Sequence, residues 1–271
     1  MKRGRGGWTR RFPSTLALIA LTISACRKPP AALRAPAAHV LFVGDSLIST
    51  NDLPRVFSGI AASRGDPVDV LVTAPGGANS TAQRALDDAS FVHQKLPSED
   101  WAFAVVQEHS ELPIVSAPGH DVASSVLKLS RAIRENDPRT RLVYLETWGF
   151  KDGDATNCGY APILCTYDGM QDGLLRAYAG MARDNSGLIA PAGEAWREVR
   201  RARPDIPLYA DDHHPSPQGT YLTACVVYSI LFKKRSLGAD PQGLDPARAE
   251  TLQATADAVV FDPKSDWSKL R

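Results

Sequence analysis

The chain has 271 residues, enough for one large domain and a leader, and its 31 basic and 30 acidic residues nearly cancel. The first 25 residues hold five of the basic residues and no acidic one, so the remainder has a net charge of −4. A nucleic-acid-binding protein would show the opposite bias, so we predict no nucleic-acid partner.

The first 25 residues have the organisation of an export signal. A basic segment precedes an apolar stretch at 12–23, which is too short to cross a bilayer as a helix. Small residues then lead to a cysteine, and the run from Ile23 to Cys26 resembles the lipobox of bacterial lipoproteins. That resemblance implies lipidation of Cys26, whereas the alternative is an ordinary secretory signal followed by a coincidental cysteine.

Three segments follow from this interpretation. We predict a signal peptide at 1–25, a tether rich in proline and alanine at 26–37, and a single domain at 38–271. The predicted location is the bacterial cell envelope, with the exported protein held at a membrane by its N-terminal lipid anchor.

Strand and helix patterns alternate along the domain. In chain order they predict a strand at 40–43, a helix at 53–64, a strand at 67–73, a helix at 79–96, a strand at 101–106, a helix at 122–135, a strand at 142–145, a helix at 170–183, a strand at 188–192, and helices at 194–203, 220–233 and 246–260. Alternating units of this kind imply a parallel sheet with helices on both faces. Because crossovers are right-handed, we predict a doubly wound five-stranded α/β sheet.

The first strand leads into a candidate nucleophile. Four apolar residues at 40–43 run directly into Gly44, Asp45 and Ser46. Ser46 therefore follows the carboxyl end of a buried strand, where open α/β sheets bind their ligands. The alternative is that Ser46 only caps the next helix, because serine is a favoured N-cap residue.

The loop before the predicted helix at 220–233 carries a candidate base. Asp211 and His214 are three residues apart, so one turn can bring the carboxylate to imidazole Nδ1 and leave Nε2 to accept the proton of Ser46. His213 is the rival base and Asp212 the rival carboxylate. The four residues could instead bind zinc or manganese, although adjacent ligands chelate poorly, and we predict no metal.

The other loops offer donors for an oxyanion. Gly77 lacks a Cβ, so its N–H can approach an anion closely, and the N–H of Ser46 would be a second donor. The loop after the third strand could add a side-chain donor, from Gln107 or from His109.

These residues resemble the SGNH (GDSL-type) hydrolases over roughly 38–260. The matches fall in order in blocks one, two and five of that family: Gly44, Asp45, Ser46, Gly77, Asp211 and His214. The resemblance implies a flavodoxin-like three-layer α/β/α sandwich and a serine esterase without a cofactor. It further implies Ser46 as nucleophile, Asp211 and His214 as the acid–base pair, and acetyl or short acyl esters, some on carbohydrates, as substrates.

The chain departs from the family in block three. Where the family has Gly-x-Asn-Asp, the chain has Gln107, Glu108, His109 and Ser110, similar to a subgroup with a Gln-Glu-x-Ser signature. His109 then stands at the asparagine position, or Gln107 is itself the amide donor; we favour Gln107, because an amide is a permanent neutral donor. The departure also supports an alternative function, an inactive envelope protein that binds glycans or assists assembly.

The remaining cysteines have two predicted roles. Cys158 and Cys165 lie in one irregular segment, and an exported chain meets an oxidising compartment, so we predict a disulfide between them. Cys225 lies in an apolar helical pattern, which indicates a buried packing residue.

Overall fold

The structure is a computed structural model that describes residues 37–77, 79–115 and 121–262, together with Met1 and Gly4. Apart from Met1 and Gly4, the predicted signal peptide lies outside the described residues, as do Cys26 and the tether up to residue 36. The described residues from 37 to 262 belong to one compact unit. None of the helices in the described part of the chain is long and apolar enough to cross a membrane.

Five parallel strands form the central sheet: β1 (Ala38–Val43), β2 (Val68–Thr73), β3 (Phe103–Val106), β4 (Arg141–Glu146) and β5 (Leu188–Pro191). Their order is β2-β1-β3-β4-β5, the flavodoxin-like doubly wound order. The prediction of a doubly wound five-stranded α/β sheet is confirmed. In the register, Val43 of β1 faces Thr73 of β2 and Val106 of β3, so the loops after these three strands begin side by side.

The described residues contain eight α-helices around the sheet: α1 (Ser46–Ser49), α2 (Leu53–Ser63), α3 (Thr81–Asp87), α4 (Val122–Asn136), α5 (Tyr167–Asp184), α6 (Ala192–Ala202), α7 (Pro217–Phe232) and α8 (Pro246–Phe261). Helices α2, α6 and α8 pack on α7, while α3 packs on α4. Ser216 caps α7 by accepting the N–H of Gly219. All residues of α7 from Gly219 to Leu231 are buried, so this helix lies at the centre of its layer.

The single helix predicted at 79–96 is wrong. Helix α3 ends at Asp87, and Asp88 has an extended backbone with ψ of 100°. The carboxylate of Asp88 accepts the N–H of Ser90 at 2.9 Å, which starts a new turn. A π-helical turn at Phe91–Lys95 and a 3₁₀ turn at Leu96–Ser98 then lead to β3.

Candidate active site

Strand β1 delivers Ser46 to the carboxyl edge of the sheet. Residues 40–43 are completely buried, and the N–H of Asp45 donates to Gln107 Oε1 at 2.9 Å, which ties this turn to the loop after β3. Asp45 caps α1 by accepting the N–H of Leu47 at 3.0 Å. Ser46 is therefore the first residue of α1, and it is exposed between two buried neighbours.

The imidazole of His214 contacts Ser46 across 168 positions of sequence. Its Nε2 lies 2.9 Å from Ser46 Oγ, and its Nδ1 lies 2.7 Å from Asp211 Oδ2. The second carboxylate oxygen accepts the backbone N–H groups of His213 at 2.9 Å and His214 at 2.7 Å. These bonds hold the carboxylate on the Nδ1 side of the ring and leave Nε2 facing the hydroxyl.

The electrostatics of this loop distinguish its two histidines. Burial alone would raise the pKa of Asp211, but the N–H groups of His213 and His214 and the His214 imidazole outweigh it and hold that pKa well below 3.8. Burial, and next the neighbouring His214, lower the pKa of His213. Asp211 is thus an ionised partner for His214, which is the histidine that contacts Ser46.

Aromatic rings contact the loop at 211–216, which we call the histidine loop. Trp148 is only 3% exposed, and its Nε1 donates to the carbonyl of His213 at 2.9 Å. The Trp148 ring stacks on Trp196, with centroids 3.8 Å apart and planes 3° apart. The ring of Phe150 lies 5.0 Å from that of His213. Trp148 therefore fixes the loop backbone and lies in the core beneath it.

Asn51 joins the segment that follows Ser46 to the loop that carries His214, and the sequence analysis did not identify it. Its backbone has a φ of 57°, in the left-handed region where asparagine is tolerated. Its Nδ2 donates to the carbonyl of Pro215 at 2.8 Å and to Thr220 Oγ1 at 3.1 Å. The only available signal was asparagine just after α1, because both partners lie more than 160 residues away.

Gly77 lies in the exposed loop after β2. Its φ of 125° belongs to the region that favours glycine, so a side chain here would strain the backbone. The guanidinium of Arg84, in α3, donates to the Gly77 carbonyl and to Thr81 Oγ1. Arg84 therefore fixes the orientation of the Gly77 carbonyl, a role that the sequence pattern did not indicate. Ala78 lies outside the described residues.

The contacts of Gln107 favour a role inside the turn that carries Ser46, and its role as an oxyanion donor stays a prediction. Gln107 is completely buried, its Oε1 accepts the N–H of Asp45, and its Nε2 donates to the Glu108 carbonyl. Its N–H continues the sheet ladder to the carbonyl of Val43 at 2.8 Å. We therefore assign Gln107 a structural role, holding the turn that carries Ser46.

Glu108 and His109, the next two residues of the loop after β3, differ in the exposure of their side chains. Glu108 is completely buried and caps α3, because its carboxylate accepts the Thr81 N–H at 2.9 Å and the Ala82 N–H at 2.8 Å. Burial raises the pKa of Glu108, and these donors oppose the shift. The side chain of His109 is 27% exposed, and its Nδ1 lies 2.8 Å from Asp45 Oδ2.

The cysteines fall into a bonded pair and a buried thiol. Cys158 and Cys165 form a disulfide with a Cα–Cα distance of 4.6 Å. Cys225 is free and completely buried in α7. Lipidation of Cys26 stays a prediction.

One group of side chains in the described residues could hold a cation. Asp211, His213 and His214 each offer one ligand atom, and these atoms lie within 4.8 Å of one another. The carboxylate of Asp211 already accepts two backbone N–H groups and contacts the imidazole of His214. A cation in this position would have to displace hydrogen bonds that orient His214.

No family model matches the chain, and no curated protein matches it in sequence. Solved structures do match. A protein from Slackia heliotrinireducens, described as a candidate SGNH hydrolase, is 27% identical with a TM-score of 0.58; the match covers 71% of this chain and 98% of that one. A DUF4886 family protein from Bacteroides uniformis is 18% identical with a TM-score of 0.69, covering 87% and 100% of the two chains.

A third match is an acetyl xylan esterase from Geobacillus stearothermophilus, which is 14% identical with a TM-score of 0.51 and covers 72% of this chain and 95% of its own. The neighbours are thus SGNH hydrolases, esterases and lipases. The chain has the SGNH hydrolase fold, and the likeness supports a hydrolase at the level of the fold.

Proposed function

We propose that this chain is a serine ester hydrolase in which Ser46 is the nucleophile, His214 the general base and Asp211 the residue that orients His214. One observation carries the proposal. The hydroxyl, the imidazole and the carboxylate form a continuous hydrogen-bonded relay with distances of 2.9 and 2.7 Å. A serine hydroxyl is a weak nucleophile without such a base.

In the proposed reaction, Ser46 Oγ attacks the ester carbonyl carbon while His214 Nε2 takes the hydroxyl proton. The tetrahedral oxyanion collapses, the bond to the alcohol oxygen breaks, and His214 returns its proton to the leaving alcohol. Water then attacks the acyl-serine while His214 Nε2 takes a proton from it. The bond between the acyl carbon and Ser46 Oγ breaks, His214 returns the proton to Ser46 Oγ, and the carboxylic acid leaves. Asp211 stays ionised and stabilises the imidazolium in both steps.

Two backbone donors are proposed for the oxyanion. Ser46 is the first residue of α1, so its N–H has no acceptor within the helix. Gly77 has no side chain to block its N–H, and Arg84 holds its carbonyl. Removal of one such donor typically costs about 10²- to 10³-fold in kcat.

Acetyl or short acyl esters, including those on carbohydrates, are the proposed substrates. The exposure of Ser46, Gly77 and Asp211 supports an ester that reaches the site from solvent while its alcohol part stays on a larger molecule. Comparison of acetylated xylooligosaccharides with an eight-carbon acyl ester tests this. A faster reaction with the long chain would contradict it.

Ser46→Ala tests the reaction itself. Loss of the nucleophile should lower kcat by several orders of magnitude on an acetyl ester and abolish labelling by a fluorophosphonate. Ser49→Ala is the matched control, because Ser49 is an exposed serine in the same short helix. Hydrolysis by Ser46→Ala at the wild-type rate would refute the proposal.

The alternative function is a glycan-binding or assembly protein of the envelope that has lost esterase activity. The structural role of Gln107 favours it, because the amide expected near the oxyanion is already engaged. Fluorophosphonate labelling distinguishes the two functions. Modification of Ser46 supports the esterase, and its absence in the folded protein supports the binding protein.

We also propose that the protein is exported and anchored at a membrane through Cys26. The disulfide between Cys158 and Cys165 supports an oxidising compartment. A Cys26→Ser variant should leave the membrane fraction of cells, while the wild type stays there until detergent is added. Equal fractionation of the two proteins would contradict the anchor.

A further inference from the structure

The site contains a second aspartate–histidine pair, formed by Asp45, which immediately precedes Ser46, and His109, in the loop after β3. His109 Nδ1 lies 2.8 Å from Asp45 Oδ2, and the other oxygen of Asp45 accepts the N–H of Leu47. Asp45 is 4% exposed, whereas the side chain of His109 is 27% exposed. The pair is therefore fixed at its carboxylate end and reaches solvent at its imidazole end.

The hydrogen bond decides what the other ring nitrogen can do. When the imidazole of His109 is neutral, its one ring proton lies on Nδ1, where it faces the carboxylate of Asp45. Nε2 then carries only a lone pair and cannot donate. Nε2 becomes a donor when the pair holds both protons. His109 can therefore stabilise an anion in the protonated state of the pair, and repels it otherwise.

We propose that His109, held protonated by Asp45, is a catalytic residue that donates Nε2–H to the oxyanion formed when Ser46 attacks the ester. The proposal rests on the proposed esterase function. Two observations favour it: β1 and β3 are neighbours in register, which sets the two loops side by side, and Gln107 has its amide engaged elsewhere.

The charged groups around His109 favour the protonated ring. The hydrogen bond that His109 donates to Asp45 raises the pKa of His109, and burial lowers it. The charges of Asp45 and Glu111 raise this pKa further, and the charge of Arg84 lowers it. The carboxylate of Glu108 accepts the backbone N–H of His109 at 3.4 Å. The net effect is a raised pKa, so the donor state extends to higher pH than for a free imidazole.

The pH dependence of kcat/KM on a neutral acetyl ester tests the proposal. In the wild type, activity should fall as the pH rises through the pKa of His109. His109→Asn offers an amide donor at every pH, so it should retain activity at high pH without this alkaline limb. His109→Phe should lose about 10²- to 10³-fold at pH values where the wild-type imidazole is protonated, and this difference should shrink as the wild-type activity falls at higher pH. The control His213→Asn, which changes an imidazole that does not contact Ser46, should keep the limb.

An unchanged alkaline limb in His109→Asn, or wild-type kcat in His109→Phe, would overturn the proposal. Nitrogen-detected NMR titration of the wild type gives a readout without turnover or variants. A boronic acid that forms a tetrahedral anion on Ser46 should raise the pKa of His109, and an unchanged pKa would overturn the proposal. Failure of Ser46 to react with a fluorophosphonate overturns the esterase and this inference together, whereas labelled Ser46 with an unchanged limb overturns this inference alone.

Discussion

Gly44→Ala tests how tightly the turn before Ser46 is packed. A Cβ on Gly44 would lie 2.6 Å from Ile48 Cγ1, closer still to Ile48 Cδ1, and 2.7 Å from Gln107 Oε1. Ile48 and Gln107 are completely buried, so neither side chain can swing into solvent. Overpacking of this kind costs about 1–3 kcal/mol of unfolding free energy.

Both stability and activity should change. For a domain of this size, 1 kcal/mol corresponds to roughly 2–4 °C in Tm, so we expect a decrease of about 2–12 °C. Displacement of Gln107 would also weaken its bond to the Asp45 N–H, which positions Ser46, and kcat on an acetyl ester should fall at a nearly constant KM.

Thermal unfolding by circular dichroism and steady-state kinetics measure the two effects. Gly159→Ala is the matched control, because an added Cβ there meets no heavy atom within 4 Å. It should leave Tm and kcat close to those of the wild type. Gly44→Ala with wild-type Tm and kcat would refute the packing argument.

Three further predictions follow from single side chains. Asp211→Asn should lower kcat about 10⁴-fold by favouring the wrong tautomer of His214. Because Asp211 has a lowered pKa, the stability that its carboxylate contributes is present above the unfolded value of 3.8 and is lost as the pH falls towards the folded pKa. The Tm difference between the wild type and Asp211→Asn should therefore be smaller at about pH 2 than at about pH 5, and an equal difference would contradict the lowered pKa. Glu108→Gln should lower the urea-unfolding free energy by about 1–3 kcal/mol, because one amide oxygen replaces two acceptors for the N-terminus of α3; equal stability would argue against the cap. Asn51→Ala should lower kcat about 10- to 100-fold with little change in KM, and an unchanged kcat would show that the bridge to Pro215 is dispensable.

Most of the fold follows from the sequence because strands and helices alternate with clear periodicity. The segment at 79–96 could not be divided correctly, because its apolar residues fit one helix and the break depends on the local bond between Asp88 and Ser90. Helix α5 begins at Tyr167, three residues before the predicted start, since Thr166 caps it by accepting the N–H of Gly169. Caps of this kind are set by backbone geometry that periodicity does not report.

The relay of Ser46, His214 and Asp211 could be proposed because recognisable elements flank its members. Ser46 follows the first strand, and the other two residues lie in the loop before the helix predicted at 220–233. The direction of Gln107 could not, since β3 is buried on both faces and no polar alternation indicates where the next side chain points. Asn51 and Arg84 were missed for a related reason. Each acts through a backbone carbonyl, of Pro215 or Gly77, and carbonyls leave no trace in a sequence.

The hydrogen-bonded relay is supported by two buried elements, and this has a consequence for how the protein can evolve. Ser46 begins where a fully buried strand ends, and the histidine loop stops at the cap of α7, the most enclosed helix of its layer. The segment at 74–76, which follows β2 and is mostly exposed, belongs to neither of these supports. Under the proposed function, exchanges in that segment would change what a substrate meets at the surface and leave the contacts among Ser46, His214 and Asp211 in place.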